Sequence, residues 1–171
     1  MKDYCKILGF VLFAEILCLF ISITLAFSSA AIFRIITSIC TVGILIGLMA
    51  QAGYSIACAD KKLQKQNPDA VKPSKPFLLG MLAMFPFQLC WIFLLLAKLG
   101  SIDGGFYRFY KLLCAPFLQV CNIICDDVTA QALPVWGMVV LQLLCWVPFA
   151  AVCTAYSMTI RGKRVEDVMY Q

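Results

Sequence analysis

The chain has 171 residues, of which 63% are hydrophobic and 13% charged, with a mean hydropathy of +0.91. The charged share is about half that of a soluble domain, and no soluble fold of this length could hide so much apolar surface. The net charge of +5 does not point to nucleic acid, because the basic residues fall in short gaps between apolar runs, and the absence of histidine removes His-ligated zinc, His-ligated haem and imidazole acid–base chemistry.

Four apolar segments reach the about 20 residues needed to cross a bilayer. The first predicted span covers residues 7–30. Lys2 and Lys6 precede it, and Ser28-Ser29-Ala30 resembles a signal-peptidase site. The apolar run is longer than the about 7–15 residues of a signal-peptide core and runs almost directly into another span, so an uncleaved anchor helix is expected.

Glu15 interrupts this first run. Residues 7–27 hold fourteen Leu, Ile, Phe and Val. Together these contribute roughly −4 to −8 kcal/mol to insertion, against about +2.5 to +3.5 for a central acidic residue. The helix inserts despite the glutamate, and an ionisable group inside a span invites a functional reading. Matching depths from the end nearer the N-terminus puts Gln51 of the second span level with Glu15, and Gln88 of the third about one turn beyond. Glu15, Gln51 and Gln88 are therefore a candidate intramembrane polar cluster. Three readings stay open for Glu15: a protonated side chain that fixes helix register, a proton or cation site, and a contact to another subunit.

The second predicted span covers residues 35–58 and carries Gly43, Gly47 and Ala50. Small residues at this spacing let two helix backbones approach closely. They serve either packing inside this bundle or homodimerisation. The loop that follows is rich in lysine and contains Pro68, Pro73 and Pro76, which make it a stiff linker too short to be a domain. The third span covers residues 77–99 with Pro86 inside it, and the fourth covers 133–160 with Pro148 inside it. Each proline can kink its helix.

Between these two spans lies a segment at about 106–126 whose uncharged core, Leu112–Cys125, is 14 residues long. As a helix it would reach only about 21 Å, short of a ~30 Å hydrocarbon core. It is expected to be an interfacial or re-entrant helix, broken or bent at Pro116, with Tyr107, Arg108, Tyr110 and Lys111 at headgroup level. Asp126-Asp127 read as a solvated helix end rather than a cation site.

The ten cysteines look at first like a disulfide framework, but six of them fall inside apolar runs, where they pack as small polarizable side chains. No CxxC occurs. Cys121 and Cys125 share a helix face and leave a pair open.

The C-terminal pattern, a last span running into AYSMTIRGKRVEDVMYQ, together with FYRFYKLLCAPF after the third span, resembles small uncharacterised membrane proteins of Gram-positive gut bacteria. In that group a glycine-tyrosine turn leads into a basic stretch and a more basic terminus. Here Ala155-Tyr156 and Tyr170-Gln171 depart from it. The resemblance implies a bacterial inner-membrane location and no particular activity.

The expected protein is thus all-α: a single domain over 1–171, with four transmembrane helices and an extra helix between the third and fourth. No paired carboxylates sit in a span and no nucleophile motif appears, so neither an enzyme nor a cofactor is expected. The leading reading is an accessory or scaffold protein whose partners are the lipid bilayer and other membrane proteins or a second copy. The alternative is a small transporter or channel subunit that moves protons or cations using Glu15 and the kinked helices.

Ten basic residues lie on the side of the termini and four (Arg34, Lys98, Arg108, Lys111) on the other. The positive-inside rule then places both termini in the cytoplasm. On a Cys-depleted background, cysteines placed at Gln66 and Val168 should react with an impermeant maleimide only from the cytoplasm, and one at Asp103 only from outside. Labelling of Gln66 from outside would reverse the assignment.

Overall fold

A computed structural model of the chain describes residues 2–25, 31–66, 71–127 and 129–162. The Ser28-Ser29-Ala30 stretch, and the tail with Lys163 and Arg164, lie outside the described residues. The described residues are helical with no strand. In chain order the helices are α1 (Lys2–Leu25), α2 (Ala31–Gln66), α3 (Lys75–Lys98), α4 (Phe106–Leu113), α5 (Leu118–Ile124), α6 (Val135–Cys145) and α7 (Val147–Ile160). Four stretches are long and apolar enough to cross a membrane: α1, α2, α3, and α6 with α7 taken together.

The pattern on α1 shows why composition sufficed to place the chain in lipid. Its buried residues, Ile7, Val11, Ala14, Cys18 and Ser22, recur at helical spacing along one stripe. The opposite face, with Leu12, Phe13, Ile16, Phe20 and Ile23, is equally apolar and exposed. A helix that is hydrophobic all round needs an apolar solvent. Lipid tails are as apolar as leucine, so burial alone does not hold such helices together; close van der Waals packing and hydrogen bonds do.

Helices α2 and α7 approach closely. A Cβ added to Gly53 would lie 2.7 Å from the Val152 carbonyl oxygen, so only glycine admits the α7 backbone there. Gly80 of α3 gives similar room to Phe149 and Cys153. Near the termini, α1, α2, α3 and α7 are tied by charge. The Lys75 ammonium lies 2.6 Å from Asp3 and 2.7 Å from Asp60, and the Tyr156 hydroxyl donates to Asp60 at 2.7 Å.

Two elements differ from the expectations, and a third takes one of the two forms expected of it. α2 continues past residue 58 to Gln66, so Asp60 and the first lysines of the basic loop are helical. The fourth span is not one helix. It breaks at Trp146, where Pro148 offers no N–H to the carbonyl four residues back and the Trp146 N–H turns to Leu143 at 3.1 Å. Pro86, by contrast, is accommodated inside an unbroken α3.

Most consequentially, residues 106–126 form two short helices joined by a tight turn, Ala115–Phe117, and the turn is buried. This is a re-entrant hairpin, and its depth can be counted. Take the distal end of the bundle as the end where α1 finishes and α2 begins. Glu15, which bonds to the turn, is ten residues before the end of α1; Thr41, which also bonds to it, is ten residues after the start of α2. Phe87, whose ring packs 5.5 Å from that of Phe117, is eleven residues before the end of α3. At about 1.5 Å per residue Phe87 lies about 16 Å from the end of α3, and the turn that Glu15 and Thr41 bond to packs against it well inside the bundle.

Two exposed positions on the hairpin should therefore report different depths. Leu113 adjoins the turn, whereas Ile123 lies near the return to the surface, where Asp126 meets Arg34 at 3.3 Å. Spin labels at these sites in liposomes should show Leu113 several ångströms deeper by quenching. Equal shallow depths would return the segment to the plane of the interface.

Candidate functional site

The hairpin turn is built around a local difficulty. α4 ends at Leu113, and the Cys114 N–H still bonds back to Tyr110 at 2.9 Å. Pro116 has no N–H, and its ring disfavours helical backbone in the residue before it. An α-helix running through Pro116 would lose a hydrogen bond and press the ring on the Leu112 carbonyl four residues back, and the chain leaves the helix two residues earlier, at Cys114, where φ is −116° and ψ 55°. This strands the Ala115 N–H and the Pro116 carbonyl in the middle of the bundle, where no water satisfies them.

Side chains from α1 and α2 fill both vacancies. A Glu15 carboxyl oxygen accepts from the Ala115 N–H at 2.9 Å. The Thr41 hydroxyl donates to the Pro116 carbonyl at 2.9 Å. One turn after Glu15, the Cys18 thiol donates to the Thr41 carbonyl at 3.4 Å, which binds α1 to α2 beside the turn. Cys114, Ala115, Phe117 and Cys121 are buried around it, and Cys145 of α6 donates to the Phe87 carbonyl at 3.7 Å.

The distal half of the hairpin is held by Tyr107 and Lys111. The Tyr107 hydroxyl donates to the Cys121 carbonyl at 3.1 Å. Lys111 folds over the Tyr107 ring, 4.5 Å from its centroid, and donates to the Cys125 and Asp127 carbonyls at 3.1 and 3.0 Å.

The proposed cluster of Glu15, Gln51 and Gln88 does not assemble through hydrogen bonds among the described residues. Gln51 lies between buried Met49 and buried Ala52 but is itself exposed, on the opposite face of α2. Depth matching cannot detect that rotation. Gln88 instead exchanges two amide hydrogen bonds with Gln142 of α6, both at 3.3 Å. Glu15 is bound to backbone.

Gly43 and Gly47 are also exposed, and a Cβ at either would meet nothing within 4 Å. The close approach inside the bundle is made by Gly53 instead, and Ala50 sits half-buried between the two faces. All ten cysteines are free, Cys121 and Cys125 included. Among the described residues, no group of three or more Cys, Asp or Glu side chains is disposed to hold a metal ion.

Compared with protein-family models, curated proteins and solved structures, the chain matches none. What its fold and site define is a multi-pass helical membrane bundle with a re-entrant hairpin capped inside the bundle by Glu15 and Thr41.

The capping account sorts three substitutions. Glu15→Gln keeps an acceptor oxygen and should leave thermal stability in detergent nearly unchanged. Glu15→Leu strands the Ala115 N–H and should destabilise by roughly 1–3 kcal/mol. Thr41→Val, which removes the bond to Pro116, should fall within the same range. Equal stability of Glu15→Leu and Glu15→Gln would remove the cap from the account.

Proposed function

We propose that this protein is a non-enzymatic accessory component of the membrane that works by packing against the transmembrane helices of partner proteins, with both termini in the cytoplasm. The observation that carries this reading is the outward face of α2. Gly43 and Gly47 stand on it one turn apart, flanked by exposed Ile36, Ile39 and Ile46, and Gln51 follows one turn on. Two glycines make a shallow trough that a second helix backbone can enter, and an exposed amide at membrane depth supplies an interhelical hydrogen bond.

The bundle's own packing supports the same view. Its internal close approaches use Gly53 and Gly80, so the Gly43–Gly47 trough is left over from folding. Glu15, the group that would carry a proton or cation in the competing transport reading, is engaged by the Ala115 N–H. A membrane location with the basic loop facing the cytoplasm fits the distribution of lysine and arginine.

The trough offers a clean test, because side chains added there touch nothing in the bundle itself. Gly47→Leu should leave the melting temperature unchanged while abolishing helix association, read as loss of energy transfer between labelled copies and loss of co-purified membrane proteins. Gly53→Leu serves as the contrast and should unfold the bundle. Wild-type and Gly47→Leu proteins that are equally monomeric and equally free of partners would exclude the assembly reading.

A further inference from the structure

The distal side carries four basic residues, and three of them are already engaged. Arg34 pairs with Asp126 at 3.3 Å, Lys98 donates to the Leu133 carbonyl, and Lys111 donates to the Cys125 and Asp127 carbonyls. Arg108 alone of the four has no ion pair or hydrogen bond from its side chain among the described residues. It opens into a groove of about 420 Å³ lined by Asp103, Gly105, Arg108, Phe109, Leu112 and Thr129. That volume falls in the range of about 300–1,000 Å³ typical of small-molecule sites.

The groove is graded in polarity along the membrane normal. α4 descends from Gly105, near the distal end of α3, toward the buried turn at Ala115. Asp103 and Thr129 thus lie at the shallow end, and Arg108, about one turn down beside Phe109, shares the groove with them on a side chain long enough to snorkel upward. Phe109 and Leu112 lie one and two turns down the helix, 62% and 55% exposed. A soluble anion has no use for the apolar floor. A molecule with a charged head and an acyl tail fits both halves.

The charges at the shallow end select the head. One Asp103 oxygen accepts from the Gly105 N–H at 3.2 Å, and the carboxylate has no ion pair among the described residues. A guanidinium and a carboxylate that line one groove, neither ion-paired among the described residues, complement a zwitterion. Guanidinium matches phosphate by bidentate hydrogen bonding, and carboxylate matches an ammonium that still carries N–H groups. We propose that the groove beside α4 is a binding site for a phospholipid with a phosphoethanolamine headgroup, its phosphate on Arg108, its ammonium on Asp103 and an acyl chain along Phe109 and Leu112.

The test uses the full-length protein reconstituted into vesicles of equimolar phosphatidylethanolamine, phosphatidylglycerol and phosphatidylcholine, then released for native mass spectrometry. The wild type should retain phosphatidylethanolamine at least fivefold over either of the others. Arg108→Ala should cut total retained phospholipid about tenfold, with Arg108→Lys restoring part of it. Asp103→Asn keeps the oxygen that caps Gly105, so the fold is preserved. It should retain phospholipid but lose the preference for phosphatidylethanolamine. Arg108 and Asp103 are both at the surface, and circular dichroism of each variant should match the wild type. Equal retention of the three lipids by the wild type, or undiminished retention by a folded Arg108→Ala, would overturn the proposal.

Discussion

A peptide bond that leaves helical geometry inside a bilayer must find its hydrogen-bond partners within the protein. In this chain that demand is concentrated at Ala115-Pro116, well inside the bundle. Much of the interior answers to it. Glu15 and Thr41 supply the acceptor and the donor, Cys18 ties their two helices together, and Phe87 packs on Phe117. A carboxyl group that is costly in an isolated helix becomes the least costly way to satisfy an amide that has no carbonyl of its own.

The same logic divides α2 lengthwise. Its inner face carries Thr41 for the hairpin, Gly53 for α7 and Asp60 for Lys75 and Tyr156. These positions join every long element of the fold. The outer face is simpler, with isoleucines, Gly43, Gly47 and Gln51. The network near the termini and the hairpin near the distal end fix α2 at both ends. Its outward face is therefore presented in a set orientation, which lowers the ordering cost of any helix that docks there.

The spans were legible because their signal is composition, and a run of apolar residues in lipid needs no further specification. The short segment after the third span was legible as non-spanning from its length, and its bend from Pro116. The partner of Glu15 was not, because a backbone N–H carries no residue signature; every residue but proline has one. Gln51 was misjudged because helix depth is read from residue number, whereas facing depends on rotation, and in a helix apolar on all sides no amphipathic pattern reveals it. Gln142 was within reach. It is the polar residue of the fourth span at the depth of Gln88, counted from the distal end. Gly53 was not distinguishable from Gly43 and Gly47 for the same reason, because which glycine faces a neighbour depends on rotation.

The order in which the pieces appear during synthesis gives the cap one more meaning. Chains emerge from the N-terminus, and early segments take up structure before later ones exist. Glu15 and Thr41 are both made some seventy or more residues before Ala115 and Pro116. The bundle thus has its acceptor and donor in place before the turn that requires them leaves the ribosome. The hairpin need never sit in hydrocarbon with its amide bare, and α6 and α7, arriving last, close the bundle over a turn already bonded.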